Sequence, residues 1–183
     1  MASKNKIITN PVTGQSIQFL RTASETRGQL LEMETIYRPH SMEPTVHYHP
    51  KQKEDFKVLE GELTVNFNGR IFILKEGDIF HIPANKIHSM WNAGSKPARV
   101  NWQVRPAMDT EFLLETTFGL AADGKVNSKG TPFFLQAVPI LLKYSNVFRL
   151  AKPPYAVQQI ILNLVRPFSL LSGKTARDKR YID

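Results

Sequence analysis

His47-Tyr48-His49-Pro50-Lys51-Gln52-Lys53-Glu54 is the stretch on which the reading of this chain turns. In an extended strand, residues i and i+2 project to one face, about 6.5 Å apart along the chain. Two imidazoles so placed can converge on one ion about 2.1 Å from each nitrogen. Tyr48, between them, then points away from that ion. Pro50 to Lys53 form a turn able to reverse the chain, so that Glu54, opening the next strand, faces the same point. Its same-face successors Phe56 and Val58 are apolar, as an inward-looking strand requires. His88 comes from a later strand and shares its face with Met90 and Asn92. Three neutral imidazoles and one carboxylate suit a single divalent transition metal ion and leave two octahedral positions for other ligands. The donor set does not choose among Fe, Mn, Ni, Cu, Co and Zn.

Outward from this stretch, apolar residues alternate from about Gln15 to Arg105. Leu31, Met33 and Thr35 share one strand face; Leu63, Val65 and Phe67 another; Ile71 and Ile73 a third; Val100, Trp102 and Val104 a fourth. Asn68-Gly69 between two such runs is a hairpin signal, since both residues tolerate positive φ. Glu76-Gly77-Asp78 marks the next turn. Closely spaced strands without intervening helices predict an antiparallel sandwich or barrel.

Two spaced patterns sharpen this. Ser41, then five residues to His47 and His49, four more to Glu54 and six to Gly61, resembles the first sequence motif of the cupin superfamily. Gly77, five residues to Pro83, then Asn85, His88 and Asn92, resembles the second. Ser41 and Asn85 stand where the family has glycine; neither is a ligand position, and Asn imitates glycine best in the left-handed region. The resemblance covers roughly residues 15–106. It implies a mainly β fold, a double-stranded β-helix or jelly-roll barrel, with the ion held inside by His47, His49, Glu54 and His88. The expected division is a barrel over residues 1–106 and a helical C-terminal extension over 107–183.

The extension is read from a change of period after Pro106. Asp109 is placed to cap a helix to about Gly119 that buries Phe112, Leu113 and Thr116. Thr131-Pro132 opens a second helix toward Asn146, which Pro139 is expected to kink or break. Lys152-Pro153-Pro154 opens a third, with Val157, Ile160, Ile161 and Leu164 at helical spacing and Arg166-Pro167 as its end. Lys174 to Asp183 are expected to fray.

Composition limits the function classes. The 183 residues contain no cysteine, which removes disulfide scaffolds, zinc ribbons and thiol nucleophiles. The N-terminal stretch lacks the apolar core of a secretory signal and no run of about 18 apolar residues exists, so a soluble cytoplasmic protein is expected. Net charge is +8, and residues 140–183 carry eight basic residues against two acidic ones. These basic residues do not gather on a recognition helix, so no nucleic-acid partner is expected. The extension is expected to pack on its own barrel or on a second copy in a homodimer, with membrane-surface contact as the lesser alternative.

The functional expectation is a metal-dependent enzyme acting on a small organic molecule, with oxidative chemistry resembling the quercetinase-like dioxygenase branch. Glu54 would be both fourth ligand and, swinging off the ion, general base. Phe56, Met90 and Trp102 are candidates for an apolar substrate pocket. A metal-assisted isomerase, cyclase or lyase, and a non-catalytic binding cupin, are the alternatives. His81 and His40 are expected to stay outside the metal set.

Overall fold

The structure is a computed structural model and describes residues 2–177 and 180–182. Ten strands come first: β1 (Ile7–Asn10), β2 (Gln15–Arg21), β3 (Leu31–Tyr37), β4 (His47–Tyr48), β5 (Lys53–Glu60), β6 (Glu62–Phe67), β7 (Arg70–Lys75), β8 (Ile79–Ile82), β9 (His88–Trp91) and β10 (Ala98–Arg105). Then follow α1 (Thr110–Ala122), α2 (Phe134–Lys143), β11 (Arg149–Leu150) and α3 (Tyr155–Leu171). The strands form two antiparallel sheets, ordered β1-β2-β3-β10-β5-β8 and β11-β4-β9-β6-β7. The fold is thus the expected mainly β arrangement of two antiparallel sheets followed by C-terminal helices.

Alternation explains the core between the sheets. Phe56 and Val58 of β5, Leu63 and Val65 of β6, Met90 of β9 and Val100 of β10 meet in one cluster. Ile17, Phe19, Leu31, Met33 and Val104 form a second, which Phe118 of α1 joins. Ile71 and Ile73 do share a face, but it is the outer one. Both are exposed, and Leu74 is the buried residue of β7. Asn68 and Gly69 take the positive φ of a two-residue hairpin, with Phe67 paired to Arg70. Gly61 has φ +76°, and an added Cβ would lie 2.4 Å from the Pro97 carbonyl oxygen, so no other residue fits there. Asn85 has φ +63°, as its place in a glycine position requires.

The helices depart from expectation in instructive ways. Asp109 precedes α1 without a side-chain capping bond and pairs instead with Arg177 at 3.1 Å; the helix continues past Gly119 to Ala122. Leu113 and Thr116 are buried as expected, and Phe112 is half-buried. The second helix starts at Phe134 rather than Thr131 and runs through Pro139 unbroken. Proline at 139 frees the carbonyl of Leu135, four residues earlier, and the buried Ser169 hydroxyl of α3 donates to that oxygen at 2.8 Å. The third helix likewise passes Arg166-Pro167 to Leu171. Its inward side is Gln158, Leu162 and Ser169, while Val157, Ile160, Ile161 and Leu164 face outward. The helical spacing of those four is as expected, and the face it marks is the exposed one.

Of the stretch expected to fray, Asp178, Lys179 and Asp183 lie outside the described residues. The described part is held. The Tyr181 hydroxyl donates to Asp123, and Arg177 lies over the Phe112 ring, 3.9 Å from its centroid. None of the described helices is long and apolar enough to cross a membrane.

Candidate metal centre

Topology brings the histidines together. β4 and β9 are neighbours, and His47 stands directly opposite His88 in their register. His49 follows β4 by one residue. Glu54 arrives from the other sheet, on β5 between Ile82 of β8 and Val104 of β10. His47, His49 and His88 each place one ring nitrogen within 4.8 Å of the others, a spacing at which one metal ion can be held.

Second-layer bonds decide which nitrogen is offered. The Nδ1 of His47 lies 2.8 Å from the Thr45 carbonyl, that of His49 2.5 Å from the Val147 carbonyl, and that of His88 2.9 Å from the Lys86 carbonyl. A carbonyl oxygen only accepts, so Nδ1 carries the proton in all three rings and each Nε2 presents a lone pair. Glu54 is 1% exposed, and its Oε2 lies 3.2 Å from His49 Nε2 and 2.9 Å from His88 Nε2. Neither His49 Nε2 nor Glu54 Oε2 makes a hydrogen bond. Buried acceptors facing one another are repulsive unless a proton or a metal ion lies between them. The donor set therefore fits a divalent transition ion.

The electrostatics agree. Burial alone would raise the Glu54 carboxyl, yet the His49 and His88 imidazoles beside it hold it well below the usual carboxylate range. Burial and the neighbouring His88 and His49 rings keep His47 far below the ordinary imidazole value, so it is neutral. In His49 burial is outweighed by Glu54, which raises it.

The Cupin domain profile matches residues 33–104. This chain contains a cupin domain. A germin-like protein of Arabidopsis thaliana (subfamily 2, member 5) is 32% identical over 130 residues, covering 67% of this chain and 59% of the relative. Quercetin 2,3-dioxygenase of Bacillus subtilis (strain 168) is 44% identical over 43 residues, 24% of this chain and 13% of that enzyme. The chain thus spans less than two thirds of the length of these curated relatives. Among solved structures, an RmlC-like cupin from Shewanella frigidimarina superposes with a TM-score of 0.48 at 24% identity, covering 57% of this chain and 86% of that one.

The two departures from the cupin motifs are absorbed locally. The Ser41 hydroxyl accepts from the Asn92 backbone N–H at 2.8 Å, and the Ser41 N–H donates to the Asn92 carbonyl at 2.8 Å, which ties the two motifs together. The Asn85 N–H donates to the His49 carbonyl at 2.9 Å. His81 is half exposed and pairs with Asp55 at 2.6 Å, away from the metal set. His40 lies in a loop with φ +51° and does not line the cavity.

A cavity of about 690 Å³ opens from the cluster. Phe56, Met90 and Trp102 line it, along with Tyr37, whose phenol burial pushes up, so it is neutral. Trp102 does more than fill space: its Nε1–H donates to Glu54 Oε1 at 3.0 Å. The cavity's other walls come from the C-terminal part, including Leu113, Phe118, Ile140 and Phe148.

That contribution was not legible in the sequence. β11 pairs with β4, setting Leu150 opposite His47. Phe148 stacks on the His47 ring with centroids 4.6 Å apart, and the Val147 carbonyl fixes His49. Gln52, fully buried in the turn between His49 and Glu54, donates through Nε2 to Thr110 Oγ1 at 2.8 Å and to the Pro106 carbonyl at 2.8 Å. The turn that sets Glu54 is thereby fastened to the start of α1.

Proposed function

We propose that this chain is a metal-dependent cupin enzyme in which His47, His49, His88 and Glu54 Oε2 hold one divalent transition ion, and that it oxidises a small, largely apolar organic molecule in dioxygenase-type chemistry. The observation that carries the reading is the convergence of three imidazoles and one carboxylate oxygen, with His49 Nε2 and Glu54 Oε2 buried and without a hydrogen bond, at the floor of an apolar cavity. When bound, such an ion supplies Lewis acidity and, for a redox-active metal, a place where dioxygen and substrate meet.

The protein's own residues do the rest. Phe56, Met90 and Trp102 offer substrate an apolar wall and exclude water. Trp102 holds Glu54 Oε1, so Oε2 is the oxygen that would take a proton from an acidic hydroxyl or C–H group once it has left the ion. The similarity to quercetin 2,3-dioxygenase supports oxidative chemistry over the isomerase, cyclase and lyase alternatives.

The test is oxygen uptake by anaerobically prepared, ferrous-loaded protein mixed with a panel of hydroxylated aromatic compounds. Oxygen consumption matched to product formation is expected. Turnover indifferent to oxygen would move the assignment to isomerase or lyase chemistry, and tight binding without turnover to a binding cupin.

A further inference from the structure

The helical part presents an apolar face that no described residue covers. Helix α3 turns Gln158, Leu162 and Ser169 inward, while Ile160 is 62%, Leu164 70% and Phe168 65% exposed. At about 100° per residue these three fall with Val157, Ile161 and Leu171 in one arc of about 100°, clear of the buried side. An amphipathic helix normally turns such a stripe toward its own core; here the stripe points out, so what it meets is external.

The same face borders the cavity. Phe133 and Phe134, at the start of α2, are more than half exposed and line the cavity that ends at the histidines. Ile161 of α3 lines it too. The cavity therefore reaches the surface within the apolar face.

Charge selects the occupant. From Gly124 to Arg177 the sequence contains eight lysines and arginines and no aspartate or glutamate. Lys129 and Lys152 are exposed, and Lys174 sits beside Phe133 and Phe134. Lys125 and Arg177 are paired with Asp123 and Asp109, and the remaining six leave a positive surplus. A second copy docked face to face would set two such surfaces against each other, whereas an anionic lipid surface complements both the charge and the stripe. We propose that the α2–α3 face docks on an anionic lipid surface, α3 lying in the interfacial plane with the cavity opening onto the bilayer, so that the cavity takes an apolar ligand from the lipid phase. The ligand clause rests on the metal-site reading above; the docking clause does not.

The experiment is cosedimentation of the full chain with vesicles of phosphatidylcholine alone and of equal parts phosphatidylcholine and phosphatidylglycerol, at low and high salt. Binding to the anionic vesicles is expected, falling by about tenfold or more on neutral vesicles, at high salt, and in a Leu164→Glu/Phe168→Glu variant. Both side chains are exposed, so the variant is expected to keep its fold and its metal content by elemental analysis. A lost metal centre would therefore register separately from lost docking. If the double variant does not fold, Leu164→Ser and the salt dependence of the unaltered chain decide the same question. Absence of vesicle binding overturns the proposal, as does a solution dimer by light scattering that the variant dissociates.

Discussion

Trp102→Phe isolates the bond on which the geometry of Glu54 depends. The indole Nε1–H is the donor to Glu54 Oε1, at 3.0 Å, on a carboxylate that is 1% exposed. A phenyl ring retains the stack on Phe56, now 5.7 Å between centroids, and deletes only the donor and a small volume. A hydrogen bond to a charged group contributes about 1.5–3 kcal/mol, and loss of a bond supporting a metal ligand costs about 10–100-fold in metal affinity. The two figures agree, since about 1.4 kcal/mol is a factor of ten. Chelator competition should therefore show divalent-ion affinity reduced by about 10–100-fold in Trp102→Phe. A Phe56→Leu control disturbs the same packing without touching Glu54 and should stay within about threefold of the parent, as shape changes in cores cost little when volume is nearly kept. Parental affinity in a folded Trp102→Phe protein would refute the reasoning, as would an equal loss in both variants.

Three other outcomes are expected. His49→Ala should abolish metal retention by elemental analysis while leaving the barrel folded by circular dichroism, because one of three clustered imidazoles is gone. Phe148→Ala should lower stability by about 2 kcal/mol and weaken metal affinity together, since the ring packs on His47 beside the β11–β4 pair; a change in urea-unfolding stability alone would deny its part in the site. Glu111 is buried with Oε2 unbonded, and burial, then Glu115, raise its carboxyl above the usual value. The folded state thus binds this proton more tightly than the unfolded state. The penalty is present above the folded value and is relieved as pH falls through it toward the ordinary carboxylate value. Glu111→Gln should accordingly raise Tm at neutral pH, with the gain shrinking toward acid; a gain independent of pH would contradict this.

The barrel was legible because its information is local. Alternation, the Asn68-Gly69 turn and the fixed spacing of His47, His49, Glu54 and His88 are all properties of short windows, and a two-residue period leaves one choice of inward face per strand. The face of β7 shows the limit. Ile71 and Ile73 alternate properly, but alternation cannot say which side meets the core when both sides carry apolar residues. The helices were less legible because their ends and faces are set by distant partners. Ser169 satisfies the carbonyl that Pro139 frees, and no pattern near residue 139 announces it. Trp102 reads as a space-filling residue until its N–H is seen on Glu54, 48 positions away. The C-terminal contribution to the site depends on a two-residue strand, β11, too short to leave a periodic signal.

The central claim is that four side chains from both sheets hold one ion. Anomalous diffraction at the absorption edge of the bound metal, from crystals of the metal-loaded protein, tests it most directly. One peak about 2.1 Å from Nε2 of His47, His49 and His88 and from Glu54 Oε2 is predicted. No peak at that point, or a peak held by other side chains while the Nε2 atoms turn away from one another, would contradict it.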